Sequence, residues 1–239
     1  MKAIYKRELK SYFQSMIGYA FIAFMMLFVG IYFAVYNLNA GYPYFSYVLS
    51  FTQFIFMIAV PVLTMRSFAE ERKSKTDQLL LTAPVSVTGI VLGKYLAMIT
   101  VFLIPVGMSC IYPLIIKMQG TAYLKVDYAA ILVYFAIGCV YIAIGMFLSS
   151  LTESQIIAAV STFAVLLVFN MWSGLIQFLP EGTFGTWLKS FLGKLDFASL
   201  LTSLIDNNLL DVSGLMLCFS LVFLFVFLTI QTTQKRRWS

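Results

Sequence analysis

The sequence contains no histidine, and that gap removes the commonest general base and the commonest metal ligand together. Neither an intramembrane metalloprotease nor a haem protein fits. Charge is scarce, at 11% of 239 residues, and no acid or base stands in the middle of an apolar run. The relay group that an ion-coupled transporter keeps inside the bilayer is therefore missing. Cysteine is limited to Cys110, Cys139 and Cys218, all within apolar runs, where a thiol acts as a small hydrophobe and not as half of a disulfide framework. A phosphate-binding loop is lacking too. Gly89-Ile90-Val91-Leu92-Gly93-Lys94 has three residues between its glycines where that motif needs four, and Tyr95 where it needs Ser or Thr. With no Walker motif, no clustered acids and no nucleophile pair, the chain is expected to be neither an ATPase nor another enzyme by itself, and no catalytic, cofactor-binding or metal-binding residue is assigned.

What the chain has instead is oil. Hydrophobic residues make up 61% of it, which is the composition of an integral membrane protein. Six apolar runs approach the length of about 20 residues that crosses a bilayer core as helix: Ile17 to Asn37, Tyr47 to Met65, Ile90 to Ile116, Tyr128 to Ser149, Gln155 to Ile176 and Val212 to Thr233. The first is too long for a signal-peptide core and lacks a small-x-small cleavage site, so it is read as retained. The fold class expected is an all-α integral membrane protein of six transmembrane helices in a single domain, residues 1–239. An even number of spans puts both termini on one side, together with the Arg66 to Lys75 loop and the Ser150 to Ser154 turn. That side carries 12 of the 16 basic residues, which by the positive-inside rule makes it cytoplasmic. The location implied is the cell membrane, multi-pass, and the basic balance reports topology without implying nucleic acid as a partner.

Ahead of the first span, Tyr5, Leu9, Tyr12, Phe13 and Met16 fall on one side of a helical wheel and Lys6, Arg7, Lys10 and Gln14 on the other, the pattern of an interfacial amphipathic helix over residues 1–16. Thr152-Glu153-Ser154-Gln155 fits a capping box that starts the fifth span, with Glu153 in its first turn. The G-x-x-x-G of Gly89 and Gly93 allows close helix packing, and Lys94 beside it is expected to snorkel to the interface. Gln53, Ser109, Ser161, Thr162, Asn170 and Ser173 are neutral hydrogen-bonders that hold helices together or touch a substrate. Ala158, Ser161 and Thr162 form a small, polar stretch of the fifth span suited to helix approach. Between spans five and six, residues 177–211, Trp187, Leu188, Phe191, Leu192 and Leu195 recur at helical spacing with Lys189 and Lys194 off that face. This predicts short outer helices that dip into the membrane as a lid or lie over the bundle as cover.

One stretch is a charged island: Ser67 to Ser86 opens on Glu70-Glu71-Arg72-Lys73 and closes on Leu79-Leu80-Leu81-Thr82-Ala83-Pro84. Thr76 can cap a short helix whose first residue, Asp77, suits the positive helix end, and Ala83 before a proline is disfavoured in helix. Three consecutive leucines on one or two turns cannot share a face. At least one faces apolar matter, whether a partner, the bilayer interface or the chain's own helices.

The run RSFAEERKSKTDQLLLTAPVS into GIVLGKYLA, with IAIGMFLSSLTESQIIAAVSTF further on and a terminal KRRWS, resembles the permease subunits of type-2 ABC exporters, and within them the gliding-motility-type branch. The resemblance spans nearly the whole chain and implies a role for each segment. Thr76 to Thr82, within the 66–88 loop, becomes a cytoplasmic coupling helix docking on a separate ABC ATPase subunit through Thr76, Asp77, Leu79, Leu80 and Leu81, with Glu70 and Glu71 just ahead of it. The turn at Glu153 becomes a second, smaller contact. Trp187, Leu188, Phe191 and Leu192 become an outer lid, and Ala158, Ser161 and Thr162 part of an interface with a second permease chain, in a homo- or heterodimer. ATP and Mg would be bound by the ATPase partner and no cofactor by this chain; the resemblance leaves room for an extracytoplasmic accessory subunit. The function implied is ATP-driven transport, with export the direction. The alternative is an ATP-independent channel or scaffold that uses the same loop to recruit a cytosolic protein.

Overall fold

A computed structural model describes residues 1–75, 86–177, 189, 192–193, 196–207 and 210–238, and every regular element among them is helical. In chain order these are α1 (Lys2–Gln14), α2 (Ile17–Phe33), a π-helical turn (Ala34–Asn39), α3 (Ser46–Thr64), α4 (Arg66–Lys73), α5 (Val87–Ser109), α6 (Tyr112–Gln119), α7 (Leu124–Leu151), α8 (Gln155–Asn170), α9 (Trp172–Gln177), α10 (Leu200–Asn207) and α11 (Val212–Trp238). Among the described residues, five stretches are long and apolar enough to cross a membrane: Ile17–Asn39, Ser46–Lys73, Val87–Met118, Leu124–Leu151 and Val212–Arg236. The sequence predicts six. The difference is α8, whose 16 residues reach about 24 Å at 1.5 Å per residue, short of a hydrocarbon core of about 30 Å. It breaks at Met171, where Asn170, Trp172 and Gly174 are weak helix formers, and resumes as α9. The Trp172 indole N–H donates to the Leu192 carbonyl at 2.9 Å, which holds the break in place.

α7 is the hub, packing against α3, α4, α5, α8, α10 and α11. Its glycines explain how. A Cβ on Gly138 would lie 2.2 Å from the Phe102 ring, and one on Gly145 would lie 2.3 Å from Thr64 Oγ1, so both positions are bare where a neighbouring helix presses in. Around Gly138 the core is aromatic: Phe56 stacks on Phe102 at 4.6 Å between centroids, with Tyr134 and Tyr141 beside them. The start of α7 carries a fully buried acid, Asp127, whose Oδ1 accepts from the backbone N–H groups of Phe45 and Ser46 at 2.8 and 3.1 Å. A carboxylate from one helix thus caps another, satisfying donors that the N-terminus of α3 leaves open.

The close helix packing expected of the G-x-x-x-G pair is made at Gly93 with the N-terminal helix. Gly93 faces α1, where an added Cβ would meet Ile4 Cγ2 at 3.1 Å. α1 therefore packs on α5 through Ile4, Glu8 and Tyr5, whose hydroxyl pairs with that of Thr100 at 3.0 Å, while buried Tyr12 donates to the Leu63 carbonyl of α3 at 3.3 Å, Leu9 and Phe13 sit half-buried and Met16 is exposed. The packed stripe is rotated from the all-apolar one because Glu8 has a partner inside.

Candidate functional site

The charged residues that the sequence scatters over three segments converge at one end of the bundle. Lys94, on the second turn of α5, is 2% exposed, and its ammonium meets Glu71 of α4 at 2.9 Å, Glu8 of α1 at 3.3 Å and the Ser67 carbonyl at 2.7 Å. Phe68 lies against it with the ring centroid at 5.1 Å, a distance for a cation–π contact. Arg7 closes the cluster from the solvent side, bonded to Glu8 at 2.6 Å and to Glu71 at 2.9 Å. The expectation that Lys94 snorkels to the interface is corrected in one respect: its ammonium is buried against other helices of the chain. Two carboxylates from other helices turn it inward, and a buried ammonium is tolerable because its three donors find three acceptors. Partial burial opposes the Arg7 charge, yet the hydrogen-bonded carboxylates of Glu8 and Glu71 outweigh it and raise the Arg7 pKa above its ordinary value. The same residues line a polar cavity of about 380 Å³ together with Ser11, Arg66 and Glu70.

Two further joints lock α4 to its surroundings. Ser149 of α7 sits at the bend between α3 and α4, where its hydroxyl donates to the Met65 carbonyl at 3.1 Å and accepts from the Phe68 and Ala69 N–H groups, each at 3.2 Å. One side chain thereby serves the carbonyl end of one helix and the amide end of the next. Arg72, buried, donates to the Thr152 carbonyl at 3.3 Å, tying α4 to the turn that precedes α8. Neither tie is legible in the sequence, since a serine in SSLTES looks like turn material and an arginine in EERK looks solvated.

The expected contact residues fall into three groups. Glu70 pairs with Arg66 on the helix surface, Glu71 is held in the Lys94 cluster with its side chain 18% exposed, and Glu153 stands exposed in the turn beyond Thr152. Thr76, Asp77, Leu79, Leu80 and Leu81 lie outside the described residues, as do Trp187, Leu188 and Phe191 of the outer lid. Leu192 is described, partly buried, with its carbonyl on Trp172. The capping box does not form: Ser154 is the N-cap of α8 without a side-chain bond, and Glu153 precedes the helix instead of joining its first turn. Of the small stretch on α8, Ala158 and Thr162 are fully buried in the chain's own bundle, with the Thr162 hydroxyl on the Ala158 carbonyl at 2.6 Å, and Ser161 is half-buried. The face α8 turns outward is Ile156, Ile157 and Val160.

The arrangement can transmit movement. α4, leading straight to the leucine-bearing segment, is pinned to α1, α5, α7 and the turn before α8, so a push on it reaches four other elements at once. A family model described as ABC-2 family transporter protein matches residues 2–206 of the chain. A search of the curated proteins finds no match.

Proposed function

Because the chain belongs to the ABC-2 transporter protein family, we propose that it is the membrane-spanning permease subunit of an ATP-driven exporter of the gliding-motility-type branch. It works as a dimer with a second permease chain and with ABC ATPase subunits that bind the ATP and Mg. This chain is not catalytic. The observation that carries the reading is the Lys94 cluster, which joins α1, α4 and α5 immediately before the segment Thr76 to Thr82. Nucleotide-driven movement of a partner bound to Leu79, Leu80 and Leu81 then enters α4 as a lever, and the ion pairs, Ser149 and Arg72 distribute it into the bundle. Without a mid-span relay group in the sequence, the energy for movement comes from the differential binding of the partner to two arrangements of the permease. Both termini and this joint face the cytoplasm, which requires α8 and α9 to cross together as one broken span.

The test is capture of the cognate ATPase by the membrane-inserted chain. Leu80→Ala or Leu81→Ala removes about three methylene equivalents, on the order of 2 kcal/mol if fully buried in a partner groove, which is roughly a 30-fold weaker association. Variants that fold by size exclusion and hold the ATPase at wild-type affinity would refute the docking role. A bound ATPase whose turnover is indifferent to the permease would support the recruiting scaffold instead.

A further inference from the structure

α5, α7 and α11 meet without closing on one another, and between them lies a cavity of about 610 Å³. All three helices are described throughout the stretches that form it. On α7 the cavity reaches from Leu132 to Cys139, eight residues from one end of the helix and twelve from the other. On α11 it reaches from Leu215 to Val222. At 1.5 Å per residue each stretch is about 10 Å long, well inside a hydrocarbon core of about 30 Å. We propose that this cavity is a binding site for an acyl chain of a bilayer phospholipid. The proposal needs only the membrane-spanning nature of the three helices and goes beyond the permease reading.

Side-chain size makes the cavity. Ala136, Cys139 and Cys218 leave the space, and larger side chains such as Tyr95, Phe135 and Phe219 bound it. Two of the walls are fixed in place: the Tyr95 hydroxyl donates to the Cys139 carbonyl at 3.0 Å, and the Phe135 ring stacks on Phe102 at 5.8 Å between centroids. The one hydroxyl of the lining has thus given its proton to backbone, and the two thiols are weak donors. A headgroup, a sugar or a peptide would bring polar atoms that find too few partners here. A hydrocarbon chain brings none.

The depth of the cavity and the shape of its mouth select the source of that chain. Water lacks the two to four polar partners it needs in such a lining, and a void would forfeit dispersion contacts on every wall. The mouth opens outward, since Leu132 and Phe219 are 51% and 73% exposed, and outside a mid-span mouth is the hydrocarbon of the bilayer. A helix of a second permease chain is the competing occupant. Helices in membranes approach one another across small side chains, but here the small ones are half-buried or buried behind Leu132 and Phe219. These two side chains hold off a helix about 10–12 Å across, whereas a single chain passes between them. Once seated, it joins α11, the least buried of the five spanning stretches, to the α7 hub.

The probe is a phosphatidylcholine with a diazirine halfway along its palmitoyl chain, added at one molecule per protein to the delipidated full chain in amphipol. After photolysis, adducts are expected around Phe135, Cys139 and Phe219 at roughly ten times the yield at Leu27 and Ile31, which are exposed on α2. A preference of that size needs only about ten more carbon contacts than an open helix face offers. Ala136→Phe and Val222→Phe fill the cavity from different helices, and each should bring the yield down to the α2 level. The same two variants should lose the rise in melting temperature that the lipid gives the unaltered chain. Phe223→Ala, exposed on α11 outside the lining, should keep both responses. Equal yields on α2 and in the cavity of the unaltered chain overturn the proposal, as does full labelling in a filled variant that melts cooperatively. Phe219→benzoylphenylalanine in native membranes identifies the occupant directly: a lipid adduct is expected, and a link to a second copy or to residues 178–195 of the same chain would overturn the assignment. ATPase capture does not involve this cavity, so either reading can fail without the other.

Discussion

Lys94 is an ammonium held away from water by Glu8, Glu71 and a backbone carbonyl, and such a group is stable only while its partners stay in place. Removing one side of a buried ion pair costs about 3–5 kcal/mol, because the other side is left uncompensated. For Lys94→Ala we expect the lower figure, about 3 kcal/mol, since Arg7 still neutralises part of the acidic pair. At roughly 2–4 °C per kcal/mol for a chain of this size, thermal unfolding in detergent should drop by about 6–12 °C. Arg7 has half of its side chain in solvent, so Arg7→Ala should cost no more than about 1 kcal/mol. Equal shifts for the two variants would show that burial does not govern the cluster. The sequence puts both residues at the ends of apolar stretches, yet it cannot say which is inside the fold. That depends on Glu8 and Glu71, which reach Lys94 only after α1 and α4 have docked.

Among the helices, the glycine spacing of α7 decides how closely the bundle packs. Gly145→Ala would drive a methyl into Thr64, whose own hydroxyl is committed to the Val60 carbonyl at 3.0 Å, and overpacking of this kind costs about 1–3 kcal/mol. Gly107→Ala is the contrasting case: nothing lies within 4 Å of the added atom, and replacing a helical glycine by alanine gains up to about 1 kcal/mol. Melting of the two variants in one detergent should move in opposite directions. Parallel shifts would mean that helix propensity, and not helix contact, sets the response at Gly145. Both glycines look alike in the sequence, and the G-x-x-x-G that does stand out packs against α1. A spacing marks a bare patch but not its neighbour. The extent of α8 was hidden for a similar reason: Gln155 to Ile176 carries no charge, and only weak helix formers around Met171 hint at the break.

For the whole molecule, the decisive surface is the outward side of α8. Ala158 and Thr162 are consumed inside the chain, so a second permease chain would have to meet Ile156, Ile157 and Val160, all more than half exposed. In a background with Cys110, Cys139 and Cys218 replaced, single cysteines at 157 or 160 should crosslink into dimers in native membranes, whereas cysteines at 158 or 162 should not. Crosslinking from 158 and 162 alone would require α8 to turn over in the membrane and would reject the packing described here. Efficient crosslinking from neither face would leave α8 facing lipid and move the interface elsewhere.

Local properties of the chain were enough to establish its membrane nature, its helical class and the presence of α1, because hydropathy and helical periodicity act without reference to other segments. The resemblance in the loop motifs pointed to the transporter family for the same reason: those motifs are contiguous. Which glycine is needed, which lysine is buried, which serine bridges a helix bend and which side of α8 faces out were decided only by the tertiary structure. Each is a relation between residues far apart in the chain. The free energy of burying Lys94 or Asp127 has no value until the carboxylates or amide groups that meet them have been brought there by other helices.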